Sequence, residues 1–171
     1  MHRDLKTLER IETAHPIVRA ELNCIYDEIC ALVNSQYCQV RFTEVIRSPE
    51  KQNSDYAKGR TAPGAIITWV KAWGSYHQYG LAVDIALLLD KDKNGTFEDA
   101  SWDTLFDGDL DGIADWIEVA KIFKFYGWQW GLYNKKGVHY DKPHFQKTFG
   151  FKASELKKLP RDNNGYVIFP K

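Results

Sequence analysis

Asp84 stands in the middle of the most apolar run of the chain, Gly80-Leu-Ala-Val-Asp-Ile-Ala-Leu-Leu-Leu89. The run has the aliphatic and β-branched make-up of a buried strand and falls far short of the ~20 residues that a membrane-spanning helix requires. An ionised carboxylate among Ala82, Val83, Ile85 and Leu87 is costly to bury unless it is paired or bound to a metal, the alternative being exposure at a strand edge. A fold that buries this strand must therefore bring partners to Asp84 from other parts of the chain.

Val18, Leu22, Ile25, Ile29 and Leu32 recur at helical steps behind Pro16, a residue suited to a first helical turn, which predicts an amphipathic helix whose stripe is core. Alternation around Val40, Phe42 and Val45/Ile46 predicts a strand over 39–46. Ser48-Pro49 supplies an N-cap and a first-turn proline, and Gly59 a stop, so 49–58 reads as a short helix with Gln52 and Tyr56 on one face. Residues 114–126, closed by Gly127, carry helical spacing, whereas 128–131, 141–146 and 165–169 read as short strands. This mixed order favours an α+β fold, a small antiparallel sheet with helices packed on it, in one domain over residues 1–171.

Lysine plus arginine and aspartate plus glutamate each total 23, so the net field gives no support to nucleic acid or anionic lipid as a partner. The charged first ten residues lack the apolar core of a secretory signal, which predicts synthesis in the cytoplasm. Cys24, Cys30 and Cys38 are an odd set without a paired Cys-x-x-Cys spacing and imply neither a disulfide framework nor a thiolate zinc knuckle. Nothing in the sequence fixes an oligomeric state.

Two of the five histidines are candidates to partner Asp84: His77 in Ser75-Tyr-His-Gln-Tyr-Gly80 and His144 in Asp141-Lys-Pro-His144. A catalytic zinc takes three protein ligands from imidazole and carboxylate and keeps one tetrahedral position open, a count that His77, Asp84 and His144 fill. His77 and Asp84 are seven residues apart, so on one continuous strand they would face opposite sides of the sheet. A bend is required between them, and Gly80 is able to make it.

Five ordered blocks carry a resemblance: Arg47-Ser-Pro-Glu-Lys-Gln52, Tyr56-Ala-Lys-Gly-Arg-Thr-Ala-Pro-Gly64, Ser75-Tyr-His-Gln-Tyr-Gly-Leu-Ala-Val-Asp84, Trp128-Gln-Trp-Gly131 and Asp141-Lys-Pro-His-Phe-Gln146. Together they resemble the zinc peptidases of bacterial cell walls, the D-alanyl-D-alanine carboxypeptidases and L-alanyl-D-glutamate endopeptidases, and most closely the endopeptidase branch of phage endolysins and bacterial autolysins. The resemblance implies His77, Asp84 and His144 as zinc ligands and Asp141 as the catalytic base. It implies peptidoglycan as the partner and the cell wall as the place of action; the lack of a signal fits a phage lysin released through a membrane pore, with phage and bacterial origin both left open. Arg47 matches the family's arginine block and, with Gln52 behind it, is a candidate to bind a substrate carboxylate or an oxyanion. Ser75 is a candidate to orient His77, and Trp130 to line the substrate groove. Two alternatives stay open: a D-alanyl-D-alanine carboxypeptidase, and an inactive wall-binding module.

An acidic insertion occupies about 90–118. Asp107-Gly-Asp-Leu-Asp-Gly112, with Asp115 and Glu118, fills positions 1, 3, 5, 6, 9 and 12 of a calcium loop, making Asp107, Asp109, Asp111 and Glu118 candidate Ca²⁺ ligands. Asp90-Lys-Asp-Lys-Asn-Gly95 begins alike but has Ser101 at its twelfth position. The alternative is a solvated acidic turn.

Overall fold

The computed structural model describes residues 3–133, 136 and 139–170. Two helices lead, α1 (Leu5–Glu12) and α2 (Pro16–Leu32), followed by β1 (Cys38–Glu44) and α3 (Pro49–Ala57). A 3-10 turn at Tyr76–Tyr79 enters β2 (Ala82–Leu89), and then come β3 (Asp99–Ser101), α4 (Asp115–Phe125), β4 (Gln129–Tyr133), β5 (His139–Gln146) and α5 (Ala153–Leu156). The five strands form one sheet in the order β1-β2-β5-β4, with β3 also on β2 and every pair antiparallel. The α+β reading stands. Among the described residues no helix is long and apolar enough to cross a membrane.

The aliphatic run becomes the central strand. One edge of β2 pairs with β1, while its other edge is shared, β5 taking Ala82 to Asp84 and β3 taking Leu87 to Leu89. Val18, Leu22, Ile25 and Ile29 of α2 are buried, and they join Val40, Phe42, Trp116, Phe123 and Phe145 in one core. Phe123 stacks on Phe145 with ring centroids 4.2 Å apart, fixing α4 to the strand that carries His144. Leu32, expected in the stripe, is exposed at the end of α2. The three thiols are free, with Cys30 and Cys38 buried.

The sequence reading expected neither β3 nor α5, and it also missed α1 and misplaced a strand at the C-terminal end. Helix α1 is capped by Asp4, whose carboxylate accepts from the Thr7 amide at 3.0 Å and ion-pairs with Arg41 of β1 at 2.7 Å. The terminal strand expected over 165–169 does not form; Arg161 and Val167 make one isolated bridge. The Asp162 amide donates to the Tyr166 carbonyl, closing a tight turn, and the Val167 carbonyl is taken by His15 Nε2 at 2.9 Å. Backbone groups engaged in this way have no ladder left to build.

The bend required ahead of Asp84 is present. Ser75 caps the 3-10 turn, and Gly80 ends it in the left-handed region at φ 65. The Gly80 carbonyl accepts from the His15 amide at 2.9 Å, and a Cβ built on Gly80 would lie 2.5 Å from that same nitrogen. Gly80→Ala therefore meets both a left-handed penalty and a backbone clash, and should cost more than about 2 kcal/mol. A lowered urea midpoint at unchanged slope is the expected readout.

Candidate metal centre and cleft

Sheet register assembles the centre. Glu44 of β1 lies opposite Asp84 of β2, which lies opposite His144 of β5. A register shift between Phe42 and Glu44 lets the end of β1 reach this row. The 3-10 turn then lays His77 over it. His77 Nε2 is 3.2 Å from His144 Nδ1 and 3.2 Å from Asp84 Oδ1, and His144 Nδ1 is 3.0 Å from the same oxygen. Three donor atoms thus form a nearly equilateral triangle. Ligands bound at 2.0–2.1 Å to a tetrahedral zinc are about 3.3 Å apart, so the triangle has the size of one face of that tetrahedron.

The hydrogen bonds behind the rings decide which nitrogens face inward. His77 Nδ1 is 2.9 Å from the Val45 carbonyl, which only accepts, so it carries the proton and leaves the Nε2 lone pair free. His144 Nε2 is 3.0 Å from Gln146 Oε1, which likewise leaves the Nδ1 lone pair facing the triangle. Two lone pairs and a carboxylate oxygen converge with nothing to donate between them. That donor set fits a cation.

Burial works to raise the pKa of Asp84, but His77 and His144 outweigh it and hold the carboxyl well below the usual range. Burial works to lower His144, and its bond to Asp84 reverses the sign, leaving it raised. Arg47 Nη2 reaches Asp84 Oδ2 at 3.3 Å, Nε donates to Glu44 at 2.7 Å, and Nη1 donates to Gln52 Oε1 at 3.1 Å. Glu44 also pairs with Lys51 at 3.1 Å.

Arg47, Ser75, His77, Asp84, Asp141 and His144 share the wall of a cavity of about 560 Å³. Asp141 sits there with its backbone at φ 54, an unusual conformation that Asp tolerates better than most residues. Desolvation in the cleft raises its carboxyl above the ordinary range and Asp84 adds to this, against the pull of His144, His77 and Arg47.

Gln52, Ser75 and Trp130 take three different places relative to the cavity. Gln52 is fully buried and off the cavity wall: Oε1 accepts from Arg47 and Gln78, and Nε2 donates to the Val70 carbonyl at 2.8 Å and to Thr68 at 3.1 Å. It positions Arg47. Ser75 lines the cavity, but its hydroxyl accepts from the His77 backbone amide at 3.4 Å rather than touching the ring. Trp130 is not among the cavity-lining residues; it stacks over Phe145 and donates to the Lys142 carbonyl at 2.8 Å. Sequence reasoning missed Glu44, which anchors Arg47. It also missed the strap over residues 66–70, which brings Ile66, Ile67 and Trp69 to the cavity. The strap has no periodicity to announce it, and Gln52 and Arg60 tie it to α3. Asp107, Asp109, Asp111 and Glu118 gather elsewhere, in the loop ahead of α4 and on its first turn.

A family model described as D-alanyl-D-alanine carboxypeptidase matches residues 69–147, a span holding all three donors and Asp141. The peptidoglycan L-alanyl-D-glutamate endopeptidase CwlK of Bacillus subtilis is 37% identical over 132 residues, covering 77% of this chain and 72% of that protein. The crystal structure of the Serratia marcescens L-Ala D-Glu endopeptidase ChiX aligns over 85% of this chain and 88% of its own, at 20% identity and a TM-score of 0.46. With the CwlK relationship spanning most of both chains, this protein belongs to the family of D-alanyl-D-alanine carboxypeptidases and L-alanyl-D-glutamate endopeptidases.

Proposed function

We propose that the chain is a zinc peptidase that hydrolyses the L-alanyl-D-glutamate bond in the stem peptide of bacterial peptidoglycan, and so acts on the cell wall. The observation that carries this reading is the triangle of His77 Nε2, Asp84 Oδ1 and His144 Nδ1, its edges 3.0 to 3.2 Å, on the wall of an open cleft. Two imidazoles and one carboxylate are a donor set suited to zinc. Zinc held there supplies Lewis acidity toward water and toward the scissile carbonyl.

The remaining work falls to the chain's own groups. Asp141 takes a proton from the attacking water and returns it to the leaving amine. Its raised pKa suits it to both transfers, because a group that takes a proton and later gives it back works best when its pKa lies nearer the operating pH than an ordinary carboxyl's does. Arg47, immobilised by Glu44 and Gln52, presents a guanidinium to the cleft for a substrate carboxylate or the developing oxyanion. Ser75 holds the His77 turn, and Ile66, Ile67 and Trp69 offer apolar wall to the peptide.

The test is digestion of purified sacculi, with new amino termini labelled and fragments weighed. New D-glutamyl amino termini are expected, and they should disappear when zinc is removed and return when it is restored. Release of free D-alanine alone would replace this reading with the carboxypeptidase activity of the same family. Zinc bound without any product would leave a wall-binding module.

A further inference from the structure

Outside the cleft, one cluster of side chains stands without the partners its burial demands. Among the described residues three buried side-chain polar atoms lack a hydrogen-bond partner, and two of them, Asp115 Oδ2 and Glu118 Oε2, belong to the first turn of α4. Asp115 is fully buried; its Oδ1 accepts from the Gly108 amide at 2.8 Å, which leaves Oδ2 turned into the acidic loop. Beside it lies the buried Cys38 thiol, a weak donor. A buried carboxylate oxygen without a strong donor costs free energy that the fold has to recover elsewhere.

What surrounds the two orphaned oxygens is more negative charge. Carboxylate oxygens of Asp107, Asp109 and Asp115 lie within 4.8 Å of one another, and so do those of Asp109, Asp111 and Glu118, Asp109 being common to both groups. Oxygens on opposite sides of one calcium ion are about 4.9 Å apart at bond lengths of 2.3–2.6 Å, so the separations within each group fit one ion, and Asp109 joins the two groups. All five residues occupy ligand positions of the loop spacing, with Gly112 at φ 90 supplying the turn at the sixth position. We infer that residues 107–118 form a calcium site in which Asp107, Asp109, Asp111, Asp115 and Glu118 share one ion.

Like charges crowd the cluster. Burial, followed by the charges of Asp111, Asp109 and Asp115, pushes Glu118 up to about 7, and burial with Asp109 and Asp107 raises Asp115. An all-carboxylate cage of this kind prefers calcium to magnesium, which dehydrates reluctantly and demands strict octahedral geometry. The neighbouring 90–95 turn is different: none of its buried side-chain oxygens lacks a hydrogen-bond partner, and its twelfth position is Ser101 rather than a carboxylate. One ion per chain is therefore expected.

The experiment is calorimetric titration of CaCl2 into the full chain, stripped of calcium and holding one equivalent of zinc, with MgCl2 in parallel. A second readout is terbium luminescence excited through tryptophan, Trp116 being adjacent to Asp115. The expected result is one saturable calcium site, a thermal midpoint raised by several degrees, and loss of both responses in the Asp109→Asn, Asp111→Asn double variant. Neither Asp109 nor Asp111 is buried, so that variant should fold, which circular dichroism checks. No saturable binding up to 10 mM calcium, an equal response to magnesium, or full calcium binding in the double variant would each overturn the inference. Peptidase activity enters none of these readouts, so the result stands apart from the fate of the zinc reading.

Discussion

Asp141→Asn should lower kcat on a stem-peptide substrate by roughly a thousandfold, within the range that a positioned general base contributes, while zinc content stays at one per chain. The substitution is nearly isosteric. Asn also accepts the left-handed backbone that Asp141 adopts at φ 54, so neither the turn nor the path of β5 should change. What disappears is the one carboxylate in the cleft that is not bonded to the imidazoles. Kinetics, zinc analysis and a thermal melt on the same preparation check all three parts. Activity within tenfold of wild type would remove Asp141 from the proton transfer.

Asp84→Asn should fail in the opposite way, losing the metal first. An amide is a poor ligand for zinc, and the carboxylate it replaces touches both imidazoles and Arg47. Loss of an outer partner alone typically costs 10–100-fold in metal affinity, so loss of a direct ligand should exceed that, with hydrolysis falling to background. Competition against a chromophoric chelator measures the affinity. Wild-type zinc affinity in Asp84→Asn would take this residue out of the ligand set. The two variants together separate metal capture from proton transfer, since one should keep zinc without turnover and the other should keep neither.

The parts legible in sequence were those with local signals. An aliphatic run with one acid in it announced β2, an odd spacing demanded the bend at Gly80, and a capped proline opened α3. Helix α1 was missed because its chain is mostly charged and only Thr7 and Ile11 are buried. Glu44 was missed because its place opposite Asp84 depends on a register shift in β1, which no residue pattern encodes. Gln52 was placed behind Arg47 from its helix, but the strap over 66–70 that takes up its amide was not legible. Residues in irregular backbone carry function without periodicity, so their roles surface only when the neighbours are placed.

The three inward-facing donors come from positions separated by as many as 67 residues, and adjacent strands must zip before they meet. Long-range pairing of this kind is slow and follows local collapse, so an ion cannot nucleate the chain as it does in a zinc finger. Capture is thus a late event, a reward for completed assembly. Once captured, the ion favours the native ensemble by mass action, and resistance to proteolysis should rise with free zinc even where the folding rate does not.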